Sequence, residues 1–266
     1  MLEILKKSKY EKILIGSDIH GPYVDHKAYN CFLNIASRDW DRIILNGDIA
    51  DFAQLSSHDK KIGSFDREFH DEITLPSEIR FIKQEILAPL RRAAGKTPIM
   101  MRLGNHEIRF LMIADNNPSA LAELLKTMRE TQSIYLEGVL ELDKYKIKLS
   151  YAHQDILYNT FTVVHGVKTS PGVAKANLIR YGSGTSGHSH RMNAWTQVFQ
   201  GSVQGWWESG CLRTTKAIEY LPHGDLPDWS NGFLTLYIDK KSGHFFCTPH
   251  FIIDGECEFN GEIIKG

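Results

Sequence analysis

Four short stretches of this 266-residue chain bring acidic, imidazole and amide side chains close together in sequence. They are Asp18-Ile19-His20, Gly47-Asp48-Ile49-Ala50-Asp51, Gly104-Asn105-His106-Glu107 and His188-Ser189-His190. Carboxylates, imidazoles and an amide oxygen are the donors that borderline divalent cations accept. A carboxylate shared by two such ions holds them at the ~3.5–4 Å spacing of two-metal hydrolytic sites. In random order a chain of this composition would contain G-D-x-x-D roughly 0.08 times and G-N-H-E about 0.002 times, so the tetrapeptide is informative by itself. D-x-H and H-x-H gain weight only from standing in series with the other two.

Each cluster follows a short apolar run with turn residues beyond it. Lys12–Gly16, Arg42–Leu45, Pro98–Leu103, Phe161–Val164 and Tyr181–Ser186 read as buried strands. Within an extended segment residues i and i+2 point the same way, so Asp18 with His20, and His188 with His190, are expected to converge. Asp25 is expected to cap a helix over 26–37 with Ala28, Phe32, Ile35 and Ala36 on one face. Further helices are expected at Pro76–Ala94, interrupted or kinked by Pro89, at Pro118–Arg129 and at Ser170–Arg180. Alternating strands and helices over 10–190 imply α/β layers. Beyond His190 the texture turns to strands, at Val198–Leu212, Gly232–Ile238 and Phe245–Phe251. One domain over 1–266 is expected, with 191–266 completing a second sheet.

These motifs resemble the calcineurin-like metallophosphoesterase superfamily and span residues 18 to 190. The DIHGPY and NGDIADF segments are most similar to its compact phage and bacterial members. The resemblance implies a four-layer α/β/β/α sandwich whose two mixed β-sheets carry a dinuclear centre at their loop edge. Asp18, His20 and His190 would bind one metal, Asp48 would bridge, and Asn105, His165 and His188 would complete the second. His153, in Tyr-Ala-His-Gln, is the rival to His165. His106 would stand unligated beside the substrate as general acid, with Asp51 orienting its ring, while a hydroxide shared by the metals attacks phosphorus. Two divalent ions are implied, Mn²⁺ first, with Fe²⁺ or Zn²⁺ also suited to the donor set. The Ser/Thr phosphatases of the superfamily follow the second motif with Arg-Gly, whereas Asp51 here precedes Phe52 and Ala53. Arg109, Arg191 and His58 are the nearest candidates for substrate contact.

The bland readings stand beside these. Asp51 could be a helix cap, Glu107 a buried acceptor for backbone behind the site, and Trp206-Trp207 a strand pair with one ring in the core and one outside. The reaction expected is phosphoester hydrolysis, by a phosphatase or phosphodiesterase, on a substrate that could be a nucleotide. A nuclease using the same site is the alternative, and a non-catalytic scaffold comes from another class.

Composition sets the remaining bounds. Thirty-one Lys+Arg against 32 Asp+Glu give a net charge of −1, which excludes a broad basic field for gripping nucleic acid. No apolar run reaches the ~20 residues needed to span a bilayer, and the first twelve residues are too charged for a signal peptide. No obligate protein partner is evident. Cys31, Cys211, Cys247 and Cys257 are scattered without a C-x-x-C pair and read as free thiols, so the expected compartment is a reducing cytoplasm.

Overall fold

A computed structural model of the chain describes residues 8–55, 73–112, 135–215 and 227–266. His58 and the helix expected at 118–129 lie outside the described residues. Apolar β-branched runs form the centre of a six-stranded mixed sheet, ordered β11-β10-β1-β2-β3-β4. Its strands are β1 (Tyr10–Gly16), β2 (Arg42–Asn46), β3 (Ile99–Arg102), β4 (Ile147–Ser150), β10 (Gly232–Asp239) and β11 (Phe245–Phe251). β1 to β4 run parallel, β10 pairs antiparallel with β1, and β11 pairs antiparallel with β10. A five-stranded mixed sheet holds β5 (Asp155–Leu157), β6 (Phe161–Val164), β7 (Gly184–Ser186), β9 (Ser202–Ser209) and β8 (Met192–Phe199), in that order. Within it β6, β7 and β9 are parallel. β12 (Glu256–Phe259) and β13 (Glu262–Lys265) make a separate hairpin.

Alternation along the strands decides what each face buries. Ile43 and Leu45 of β2 join the cluster beneath helix α1 (His26–Ala36), which also takes in Phe32, Ile35 and Ile86. Ile44, between them, turns the other way and meets Phe161, Val163 and Trp207 across the gap separating the two sheets. Val164 and Trp206 face outward from the second sheet onto Ala174 and Leu178 of a further helix, Val173–Tyr181. The two tryptophans therefore point to opposite faces of the sheet, as expected, and both are buried in packing.

Asp25 caps α1, its carboxylate accepting from Ala28 N at 3.0 Å. Pro89 lacks an N–H and its ring would strike the carbonyl four residues earlier. The helix neither breaks nor restarts there. α2 (Leu75–Phe81) widens into one π-type turn over Ile82–Leu87 and continues as α3 (Ala88–Ala94).

The region after His190 departs from expectation. Only β8 and β9 complete the second sheet; β10 and β11 join the first, because the apolar run of β10 is buried on both sides and pairs with β1. The run read as one strand from Val198 to Leu212 is instead two strands, reversed at Gln200-Gly201, both with positive φ. That is the backbone a tight hairpin requires.

Trp206 fixes the second sheet to its helix: it is fully buried, stacks on Tyr181 and donates from Nε1 to Ser186 Oγ at 3.0 Å. Trp206→Ala is expected to cost about 3–5 kcal/mol in urea unfolding; a loss below about 1 kcal/mol would contradict this packing.

Candidate metal centre

The parallel strands of both sheets end at one edge, and every motif sits at such an end. β1 leads to Asp18, β2 to Asp48, β3 to Asn105, β6 to His165 and β7 to His188. Carboxyl ends of parallel strands are where open α/β sheets place their ligands. Two hydrogen bonds join the sheets there: Asn46 Nδ2 donates to Val164 O, and His165 Nδ1 to Asn46 O, each at 2.8 Å. The loop after β1 is zipped to the loop after β2 by Asp18 N to Gly47 O at 3.0 Å and His20 N to Asp48 O at 2.9 Å.

Convergence is not achieved by extended backbone, as the i, i+2 argument supposes. Asp18, His20, Asp48, His188 and His190 all adopt left-handed conformations, with φ between 52° and 66°. Asp and His are among the side chains that tolerate this region best, but each such residue still costs of order 1–3 kcal/mol. The hydrogen-bond lattice holds them in place. Glu107, fully buried, accepts from Asp48 N, Ile49 N, Ala50 N and Gly104 N at 2.7–2.9 Å. Glu78, which the sequence reading missed, accepts from Asp51 N and Phe52 N, both at 2.8 Å. Its motif offers no signal, since it lies in a helix remote in sequence. Gly104 is obligatory because a Cβ there would run into the Asp48 carboxylate and backbone.

The donors form two groups that meet at Asp48. In the first, His20 Nε2 lies 3.0 Å from His190 Nε2, and His190 Nε2 lies 3.3 Å from Asp18 Oδ1. His20 Nδ1 is 2.8 Å from Asp51 Oδ1, which leaves Nε2 as the nitrogen that could ligate a cation, the usual orientation of a carboxylate-backed histidine. In the second, His165 Nε2 lies 3.1 Å from Asp48 Oδ2 and 3.1 Å from Asn105 Oδ1, with His188 close by. Asp48 Oδ2 also reaches toward the first group, 3.9 Å from His20 Nε2. Imidazole nitrogens and carboxylate oxygens packed this closely suit shared cations, so the donor set fits two divalent ions.

Burial sets the protonation of these groups. His20 lies well below the ordinary imidazole range because burial disfavours its charge and the neighbouring His106 and Arg213 oppose it further. His188 is lowered by burial and by His165. Burial works the same way on His165, but the Asp48 charge outweighs it and pushes this imidazole up to about 10. Burial opposes ionisation of Asp48, yet His165 and His106 hold its carboxyl well below the usual range. Glu107 is raised by burial and by Asp48, a rise its backbone donors only partly offset.

Other sequence candidates land differently. His106 borders the first group, its Nε2 3.8 Å from Asp48 Oδ2 and its Nδ1 2.5 Å from the backbone carbonyl of Asp51. It is this carbonyl that orients the ring; the Asp51 carboxylate, 3.4 Å from His106 Nδ1, serves His20 instead. Asp51 thus meets two histidines, His106 through its carbonyl and His20 through its carboxylate. His153 is exposed and remote from the donors, which leaves His165 in the cluster. Arg109 lies against the His106 ring, 3.1 and 3.3 Å from its two nitrogens. Arg191 is tied to Asp228 at 2.8 Å and to the carbonyls of Thr169 and Ser170. It braces these loops.

Motif order, sheet topology and the shared carboxylate agree. The chain resembles a calcineurin-like metallophosphoesterase. No protein-family model and no curated protein matches its sequence. Several solved structures are similar in overall course. Vps29 from Entamoeba histolytica, complexed with Zn²⁺, is 13% identical over 96% of this chain and 98% of its own, with a TM-score of 0.42. A conserved predicted phosphoesterase from Streptococcus pneumoniae is 13% identical over 98% and 99% of the two chains, with a TM-score of 0.39. Yfce, a phosphoesterase from E. coli, is 13% identical over 90% and 97%, with a TM-score of 0.35.

Two outcomes are expected. Glu107→Ala strands four buried N–H groups, each worth about 1–3 kcal/mol when unpaired, so unfolding should come at least about 3 kcal/mol earlier and metal should be lost. A variant of native stability that loads normally would refute the role of Glu107. Separately, a cation taken up between Asp48 and His165 must displace the proton that His165 keeps up to about 10 in the metal-free chain. Metal loading should therefore release protons, and affinity should rise from pH 6 to 9. Calorimetry in two buffers of different ionisation enthalpy measures this, and loading without proton release would contradict it.

Proposed function

We propose that this chain is a metal-dependent phosphoester hydrolase working with two divalent cations, Mn²⁺ foremost. The observation that carries the reading is the single oxygen Asp48 Oδ2, buried between His20 of one donor group and His165 of the other. In this reading Asp18, His20 and His190 hold one ion, Asn105, His165 and His188 the other, and Asp48 both. When bound, such a pair supplies Lewis-acid activation of water and neutralises charge on the phosphoryl oxygens.

The chain's own residues do the rest. His106 acts as an imidazolium in this reading: its Nδ1–H is held by the Asp51 carbonyl, and its Nε2–H, toward the centre, passes a proton to the departing oxygen and leaves the ring neutral. Arg109, packed on the same ring and 3.2 Å from that carbonyl, fixes the ring's plane. The Asp51 carboxylate orients His20 and so keeps the first donor group in register. Phosphomonoesters and diesters, nucleotides among them, are the substrate class proposed.

The test is turnover of p-nitrophenyl phosphate, bis-p-nitrophenyl phosphate and single-stranded DNA, with Mn²⁺ and with chelator. His106→Ala should lower kcat about 10²–10⁴-fold with both ions retained, and Asp48→Asn should lose metal. Chelator-resistant turnover would sink the metal requirement, and full activity of His106→Ala on a poor leaving group would sink its role as acid. DNA cleaved as efficiently as the small esters, with affinity falling steeply in salt, would move the substrate class to nucleic acid.

A further inference from the structure

A phosphoester site needs a group for the phosphoryl oxygens that face away from the metals, and arginine is the usual choice because its planar fork matches them. The arginines nominated by sequence are already occupied, Arg109 on the His106 ring and Arg191 on Asp228. Arg213 is different. Its guanidinium lies over two aromatic rings, 5.3 Å from the Tyr23 centroid and 4.9 Å from that of Trp229. Its Nε is buried without a hydrogen-bond partner, and among the described residues no carboxylate pairs with it. Both rings adjoin the first donor group. Tyr23 ends the turn that begins at His20, whose carbonyl accepts from Tyr23 N at 2.9 Å. Trp229 meets the His190 ring edge-on at 4.2 Å. The backbone of Arg213 is anchored as firmly: it bridges to Val24, its carbonyl accepts from Asn231 Nδ2 at 2.8 Å, and the preceding Leu212 N donates to Asp18 O at 3.1 Å.

A cation half-removed from water, lying over two rings and with no carboxylate partner among the described residues, sits where a ligand's negative charge would complete it. We propose that Arg213, packed on Tyr23 and Trp229, binds the phosphoryl oxygens of the substrate, and of the phosphate released, beside the Asp18–His20–His190 group. This rests on the phosphoester reading above. The rings preorganise the fork, so little side-chain entropy is lost on binding.

The test is binding of inorganic phosphate to the Mn²⁺-loaded protein by calorimetry, beside KM and kcat on p-nitrophenyl phosphate, with metal content measured in every sample. Arg213→Gln should weaken phosphate binding about 10–100-fold and raise KM more than it lowers kcat, with two ions still bound. Arg213→Lys, which keeps the charge without the fork, should fall between. Phosphate held equally by wild type and Arg213→Gln, or by wild type not at all, would overturn the proposal. If Arg213→Gln loses metal, Arg213→Lys decides: weakened binding supports the contact and unchanged binding overturns it. A wild type that binds phosphate through Arg213 yet hydrolyses no ester would instead contradict the hydrolase reading alone.

Discussion

The structure is built around one buried anion. Asp48 has almost no contact with solvent, and a carboxylate so placed requires opposite charge close by. In the metal-free chain that charge comes from imidazolium, above all His165; in the loaded chain two cations would supply it. Much of the site serves to keep Asp48 in this position. Its backbone N–H is held by Glu107, its Oδ1 by His106 N at 2.9 Å, and the room for its side chain is made by Gly104. Glu107 is a second buried carboxylate nearby, tolerated because four backbone donors surround it.

This arrangement explains why two sheets are needed. One sheet's strand ends could offer Asp18, Asp48 and Asn105, but His165, His188 and His190 come from the other. The Ile44–Phe161–Trp207 layer fixes the distance between the sheets, and the Asn46 bonds to Val164 and His165 fix their relative height at the site. Left-handed backbone at five donor positions is the local expense of turning side chains sharply inward from strand ends.

Sequence motifs were a good guide to which residues meet and a poor guide to how. The clusters at 18–20, 47–51, 104–107 and 188–190 all reach one edge, because each follows an apolar run that must be a buried parallel strand. The extended i, i+2 geometry failed, since Asp18, His20, His188 and His190 leave the strands through positive φ and sequence does not display φ. Asp51 was expected at His106, but its backbone carbonyl and its carboxylate meet different histidines, His106 and His20, a division only coordinates reveal. β10 and β11 were put in the wrong sheet: long-range strand pairing leaves no local pattern that distinguishes one sheet from another. Arg213 escaped notice for a related reason, as its partners Tyr23 and Trp229 are distant in sequence and belong to no motif.

The most direct test of the shared-carboxylate account is electron paramagnetic resonance of the protein titrated with Mn²⁺. Two ions bridged by Asp48 should give, at two per chain, the broadened multiline spectrum of a spin-coupled pair, and Asp48→Asn should abolish it. An isolated six-line signal at full loading, or saturation at one ion per chain, would contradict the account.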